Sequence, residues 1–376
     1  MAVDDDNDRW TTRPLMTVVP SLEGRLRMVP LGELPTPVES LAPLVEALGC
    51  SGVEAWIKRD DQTSPIYGGN KVRTLEVLFG QALDRGATHI ISTGAYGSNH
   101  AVATLLHAPR ANLKGGAMLF PQPHSAAAVD NLRVTLGEHA VLYPLPHWST
   151  LPLGIVWSRL ALALRGQRPT IMVPGGATPL GALGYVSAAF ELAMQIEEGA
   201  LPAPAQVVIG VGSTCTSAGL LVGLHHAARL GIGFRSVPQL ISVRVTPWPV
   251  TARGRIAWLA HRTSRLLARL AEDPVWQVPW RTLRAALTVD GRFLGPGYGK
   301  ETRSGREAIA LFEAHAGVTL DTTYSGKSAA GLVERIRRRA SGPLLYWATK
   351  STAPLPEVSQ ERLERAPTQM RRWMRR

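Results

Sequence analysis

Tyr67-Gly68-Gly69-Asn70-Lys71-Val72-Arg73-Thr74-Leu75-Glu76 is the stretch on which the reading of the chain turns. Lys71 is one of only six lysines, at 58, 71, 114, 300, 327 and 350, among 41 basic residues. A lysine kept where arginine is the default cation suggests that the amine itself is used. A guanidinium stays protonated at any working pH, whereas a lysine taken partly out of water loses its proton more readily. The neutral amine can attack a carbonyl and form a Schiff base. The two glycines and the asparagine before it make a turn that lets backbone approach a flat ligand. Val72, Leu75 and Leu78 follow at helical spacing, which places Lys71 where a loop enters a helix. Taken alone, the stretch fits an ordinary surface loop just as well, so the rest of the chain has to decide.

A chain of 376 residues, 45% apolar, can bury a large core in one or two domains. No apolar run is long enough to cross a bilayer. The N-terminus carries Asp4, Asp5, Asp6 and Asp8 and lacks the basic-then-apolar order of a secretion signal. Cys50 and Cys215 lie far apart, which suggests neither a disulfide framework nor a zinc site; no metal is expected, and the cytoplasm is the expected location. The net charge of +12 raises the question of nucleic acid. The arginines are spread through the second half, and the chain ends in the basic tail Arg371-Arg372-Trp373-Met374-Arg375-Arg376. No RNA-binding motif accompanies them, so solvated faces explain the charge and nucleic acid is not the expected partner.

Residues 1–20 are expected to be disordered, and 30–37 to form an extended, proline-bounded arm that docks Leu31 and Leu34. From there the pattern alternates. Strands are predicted at 55–58, 88–92, 116–120, 140–143, 170–173, 207–210, 240–243 and 344–347. Helices are predicted between them, among them 126–136, 151–164, 180–198 and 253–271. This order predicts an α/β fold with parallel sheets covered by helices on both faces.

Ligands in such folds sit at strand ends. Gly97-Ser98-Asn99-His100 would place a hydroxyl and an amide at a helix N-terminus, where an anion or a polar ring substituent is well received; Ser98 reads equally well as a plain N-cap. Gly212-Ser213-Thr214-Cys215-Thr216, before another helix, reads as a phosphate nest. It has neither the lysine of a P-loop nor GxGxxG spacing, so one phosphate monoester fits better than a nucleotide. Tyr298, in Gly295-Pro296-Gly297-Tyr298-Gly299, and Tyr324, in Asp321-Thr322-Thr323-Tyr324-Ser325-Gly326-Lys327, present phenols for acid/base or substrate contacts. An amine, a phosphate nest and no dinucleotide signature point to pyridoxal 5'-phosphate, a cofactor that serves as an electron sink.

The residues just quoted, with Lys58-Arg59-Asp60-Asp61 and Gly181-Ala182-Leu183-Gly184-Tyr185, occur in an order that resembles the D-cysteine desulfhydrase and 1-aminocyclopropane-1-carboxylate deaminase family. These are pyridoxal-phosphate enzymes of fold type II, the tryptophan-synthase-β-like fold. The resemblance runs from Leu34 to about Thr352. It implies two open parallel-sheet domains with the cofactor between them: a large cofactor-binding domain of 21–73 plus 185–376, and a small one of 74–184. It implies that Lys71 bonds the cofactor aldehyde and that Asn99 meets the ring hydroxyl. Ser98 and His100 would hold the substrate carboxylate or move protons. Gly212, Ser213, Thr214, Cys215 and Thr216 would surround the phosphate, Tyr298 and Tyr324 would face the substrate, and the Thr349 hydroxyl would meet the pyridine nitrogen. A neutral hydroxyl there leaves that nitrogen largely unprotonated, which suits β-elimination.

The implied activity is α,β-elimination on a small amino acid to a keto acid and ammonia, by a homodimer. His100 and Ser325, where the deaminase carries Gln and Glu, lean toward the desulfhydrase side. Cyclopropane ring opening, β-replacement and cofactor binding without catalysis are the alternatives. The chain departs from the family pattern at Thr214 and Cys215, which replace glycines, at Lys350-Ser351, which replace Gly-Gly, and over 245–285.

Overall fold

The computed structural model describes residues 12–138 and 140–374. Ten strands are β1 Val38–Ser40, β2 Ala55–Arg59, β3 His89–Ala95, β4 Lys114–Phe120, β5 Val141–Pro144, β6 Pro169–Ile171, β7 Gln206–Val211, β8 Gln239–Arg244, β9 Leu287–Asp290 and β10 Leu344–Ala348. They form two sheets. The six-stranded sheet has the order β1-β2-β10-β7-β8-β9 and the four-stranded sheet the order β5-β4-β3-β6. All neighbours are parallel except β1, which runs antiparallel to β2 on one edge. Every residue of β10 is buried, as are Val207, Val208 and Ile209 of β7. Such unbroken apolar runs belong to strands covered on both faces.

The register of the large sheet carries chain ends to one place. β10 pairs with β2 and β7 so that Trp347 lies opposite Lys58 and Ile209. The segment after β10 then meets the start of the helix Asn70–Asp84: the Asn70 amide donates to the Thr349 carbonyl at 2.9 Å, and Gly69 bridges Lys350. Gly69 has φ +86, and a Cβ there would fall 2.6 Å from the Thr349 oxygen. Only glycine fits.

The helices Asn70–Asp84 and Pro179–Glu197 are joined by a buried ionic cluster. Arg73 donates to Asp60 Oδ1 and Oδ2 at 2.7 and 3.0 Å, and to Glu191 Oε1 and Oε2 at 2.9 and 2.8 Å. Lys58 Nζ donates to Glu191, Gln195 and the Thr36 carbonyl, each at 2.6 Å, and the Tyr185 hydroxyl donates to Asp60 at 2.6 Å. Burial would raise the Glu191 carboxyl, but Arg73 and Lys58 hold it well below the usual range. Gly184 lies against the backbone of Arg73, where a Cβ would come within 2.0 Å of its carbonyl oxygen. The quoted motifs Lys58–Asp61, Asn70–Arg73 and Gly181–Tyr185 are thus parts of one structural joint. It fixes the direction in which Lys71 leaves the helix.

Two expectations are corrected. Disorder was expected over 1–20; residues 1–11 lie outside the described residues, but Pro14–Val18 is helical. Leu15 and Val19, four apart, enter the core, and Arg13 pairs with Glu76. The basic tail is instead an apolar clasp. Met370 and Trp373 are buried beside Leu132 and Leu136, and Trp373 stacks on Tyr96 at 5.7 Å between centroids. Arg372 is exposed, Arg371 is half-buried with its Nε out of water, and Arg375 and Arg376 lie outside the described residues. The C-terminus therefore packs on the four-stranded half. The helices Asn70–Asp84 and Pro179–Glu197 run through 73/74 and 184/185. Short β1 and β9 carry too few residues to show a period and were not predicted.

Candidate active site

A cavity of about 970 Å³ opens in the crevice between the sheets, and every residue expected at the site except Cys215 lines it. Lys71 stands in the first turn of its helix, as predicted. Among the described residues its amine has one hydrogen bond, to Ser213 Oγ at 3.2 Å. Burial pushes the amine below its usual range, with only the Cys215 thiol acting against that. The amine is therefore poised to lose its proton.

β3 ends in the turn that carries Ser98, Asn99 and His100. Ser98 caps the helix Asn99–His107, its Oγ accepting from the Ala101 amide at 3.3 Å, and still borders the cavity. The cap and the place on the cavity wall are compatible. Asn99 Oδ1 accepts from the Tyr67 hydroxyl at 3.0 Å and from Asn131 Nδ2 at 2.7 Å, which leaves the Asn99 amide N–H groups for a ligand. His100 is 1% exposed and neither ring nitrogen has a partner. Buried polar atoms are rarely left so, and a missing ligand is one reason for it. Burial, with Lys71 beside it, lowers the His100 pKa to about 3, so the ring is neutral at working pH.

The loop after β7 reaches the helix Cys215–Leu230, whose first amides have no acceptor within the helix. Ser213 and Thr216 put hydroxyls beside them, and Asn70 Nδ2 holds Thr216 Oγ1 at 3.0 Å. Cys215 corrects its expected place: the thiol turns inward, donating to the Gly176 carbonyl at 3.3 Å, and only its backbone remains at the loop. Tyr298 and Tyr324 share a hydrogen bond between their hydroxyls, with ring centroids 5.9 Å apart. Burial raises both phenol pKa values, so both stay protonated. Thr349 lines the cavity. Lys350 donates to the Tyr67 hydroxyl at 3.0 Å, so the departure from Gly-Gly joins the chain Lys350–Tyr67–Asn99.

Several supports were missed from sequence. Asp321 accepts from the amides of Thr323, Tyr324 and Ser325 at 2.8–3.0 Å and fixes the Tyr324 turn. Lys327 Nζ holds the carbonyls of Leu294 and Gly297 at 2.8 and 2.9 Å, fixing the Tyr298 loop. Tyr67 and Asn131 orient Asn99. Tyr67 and Asp321 stand inside or beside quoted motifs, but Asn131 lies in a helix with no distinguishing pattern. A second cavity of about 960 Å³, behind Gly176 and bordered by exposed arginines such as Arg85 and Arg262, contains none of the expected residues.

Comparison with known proteins agrees with this geometry. Residues 29–344 match the family described as "Pyridoxal-phosphate dependent enzyme". The chain belongs to that family. It is 33% identical to a nocardicin C-9' epimerase of Nocardia uniformis subsp. tsuyamanensis over 342 residues, 89% of this chain and 96% of the relative. It is 33% identical over 333 residues to a D-cysteine desulfhydrase of Salmonella enteritidis PT4, covering 83% and 90%. The crystal structure of a homologue of 1-aminocyclopropane-1-carboxylate (ACC) deaminase superposes with a TM-score of 0.71 at 27% identity, covering 91% and 96%. The fold is type II, and the cofactor of this pyridoxal-phosphate enzyme fits the donors present. An amine, free amide N–H groups on Asn99, a lone hydroxyl on Thr349 and a helix N-terminus with two hydroxyls match the aldehyde, ring hydroxyl, ring nitrogen and phosphate in kind.

Two predictions arise here. Thr214, one of the departures from the family pattern implied by the resemblance, has φ +71. Left-handed backbone costs a non-glycine residue roughly 1–2 kcal/mol, more than glycine loses in chain entropy. Thr214→Gly is expected to raise stability by about 0.5–1 kcal/mol in denaturant unfolding; an unchanged or lower midpoint contradicts the strain. The second concerns pH. His100 and His226 each have a folded pKa lowered from 6.5 to about 3, chiefly by burial. The unfolded chain binds their protons first, so stability is complete above pH 6.5 and falls as pH drops toward 3. Each ring contributes about 1.4 kcal/mol per pH unit. Unfolding curves at pH 7.5 and 5.0 should differ accordingly, and His226→Gln should reduce the slope. Equal stability at the two pH values contradicts this.

Proposed function

We propose that the chain is an amino-acid lyase of the D-cysteine desulfhydrase type. It removes the Cα proton of an amino acid and expels the group on Cβ. Pyridoxal phosphate, when bound, supplies a conjugated ring that accepts the electron pair freed at Cα. Lys71 would hold that cofactor through its amine, then take the Cα proton on Nζ once the substrate's own nitrogen has displaced it. Ser98 and the neutral ring of His100 would bind the substrate carboxylate. The Tyr298–Tyr324 pair, protonated at working pH, would give a proton to the leaving atom as the Cβ bond breaks with its electron pair, and would regain it from water afterwards. Thr349 would meet the ring nitrogen with a neutral hydroxyl, Asn99 the ring hydroxyl, and the 212–216 loop the phosphate. The balance is amino acid plus water giving keto acid, ammonium and the protonated leaving group.

The observation that carries this reading is the single cavity that joins a buried amine, an unpartnered neutral imidazole and a protonated phenol pair. The epimerase relative favours a second reading, in which the proton returns to Cα on the opposite face. One experiment separates them. The cofactor-loaded protein is given D- and L-cysteine in deuterated water. Keto acid with sulfide supports elimination, Cα deuterium with inversion and no keto acid supports epimerisation, and neither product rejects both. 2-Oxobutanoate from ACC, or a new amino acid formed only with an added thiol, would instead support ring opening or replacement.

We further propose a homodimer. The helix Leu151–Ala163 turns Leu153, Val156, Trp157 and Leu160 outward, each more than half exposed. Apolar surface of this kind suits a protein partner. The two free, buried cysteines are consistent with a reducing cytoplasm. Among the described residues, no helix is long and apolar enough to cross a membrane.

A further inference from the structure

The cavity of about 970 Å³ takes in the cofactor's place at Lys71, Asn99 and the 212–216 loop, and it extends past them to further walls. That further wall has a definite chemistry. The segment that departs from the family pattern, beginning at 245, contributes Thr246, Pro247, Trp248, Val250 and Arg255 to the cavity wall. Trp248 follows β8 in the six-stranded half. Trp148 opens the short turn Trp148–Thr150 in the four-stranded half and lines the same cavity. They are 71% and 63% exposed, and neither indole N–H has an acceptor among the described residues.

Two large aromatics from opposite halves thus border one cavity, both mostly exposed, with Trp148 tilted against the His147 ring at 5.2 Å. Apolar area removed from water is worth about 25 cal/mol per Å², so a ligand placed there would regain what the free protein forgoes. Trp is also among the side chains that most often dominate binding, and aromatic pairs gain beyond their area when rings meet offset or edge-on. Arg255, in the first turn of the helix Arg253–Ala271, is exposed, borders the cavity and has no ion pair among the described residues. It is a cation on the same cavity wall as Trp248.

We infer that the Cβ substituent of the substrate is large: an aryl or similarly bulky apolar leaving group, received at Trp148 and Trp248, with an anionic end met by Arg255. The inference rests on the elimination reading, and it assigns a role to the segment after 245. Trp148 and Trp248 set specificity, while the chemistry stays at Lys71.

The test separates affinity from reaction. Homophenylalanine carries a ring where S-phenylcysteine does but has no group to expel, and 2-aminobutanoate lacks the ring. Dissociation constants of the cofactor-loaded protein for both compounds, in each configuration, are read from the change in cofactor absorbance. The wild type should bind homophenylalanine at least about tenfold more tightly, the scale of one or two aromatic contacts. Trp248→Ala and Trp148→Ala should each reduce that ratio several-fold, and Trp248→Phe should keep most of it. A 4-carboxyl on the ring should add affinity that Arg255→Gln removes. In parallel, β-chloroalanine and S-phenylcysteine are assayed for pyruvate. A wild-type ratio near one, or a ratio unchanged in both alanine variants, overturns the inference while small-substrate elimination stands. No pyruvate from either compound overturns the elimination reading and the leaving-group assignment with it.

Discussion

Lys71→Arg, loaded with pyridoxal phosphate, is expected to lose amino-acid turnover by at least about 10²–10⁴-fold, the range that follows from loss of one proton-transferring group. The arginine keeps the charge and nearly the length, so the test isolates the ability to give up a proton. In the native protein that ability comes from burial, which lowers the Lys71 pKa, and from a single weak partner, Ser213 Oγ at 3.2 Å. The variant should fold normally, because the ionic joint two residues further on is untouched. Steady-state keto-acid release and a circular dichroism melt make the comparison. A variant within tenfold of wild type would remove Lys71 from the chemistry.

The joint itself carries the second large effect. Arg73 is 2% exposed and makes two hydrogen bonds to each of Asp60 and Glu191, which are both fully buried. Arg73→Met leaves buried carboxylate short of a partner, and breaking a buried pair in this way costs about 3–5 kcal/mol. Urea unfolding should show a loss of that order, and turnover should fall as well, because the first turn carrying Lys71 is no longer anchored. Glu191→Gln keeps the shape and removes one charge, so it should be milder and remain folded. The double variant should lose less than the sum of the two, since the partners share contacts. A stability change under 1 kcal/mol in Arg73→Met would show that the cluster is not what fixes this helix.

Much of the fold was legible because parallel strands buried on both faces leave unmistakable apolar runs, as in Val207–Ile209 and Leu344–Trp347. The elements that escaped notice were those whose signal lies in distant contacts. The three-residue β1 is held by its partner β2, and the C-terminal helix Thr368–Trp373 looks basic until Met370 and Trp373 are seen against the four-stranded half. The site followed the same rule. Turns at strand ends announced Lys71, Ser98–His100 and the 212–216 loop through composition. Glu191 and Asn131 sit inside helices, and Lys327 bonds carbonyls some thirty residues away, so composition shows nothing of their part. Conversely, the quoted motifs mixed two roles: Lys58, Asp60 and Arg73 belong to the joint and Lys71 to the cavity. The inward thiol of Cys215 also shows that a residue of a loop on the cavity wall can turn its side chain into the core.

The most direct test of the account is to find which nitrogen carries the cofactor. Protein loaded with pyridoxal phosphate is reduced with borohydride, digested and mapped by mass spectrometry. The added pyridoxyl mass should appear on the peptide containing Lys71, and Lys58 and Lys327, already bonded to other acceptors, should be unmodified. Modification at Lys350, the other lysine on the cavity wall, or at no lysine, would contradict the account.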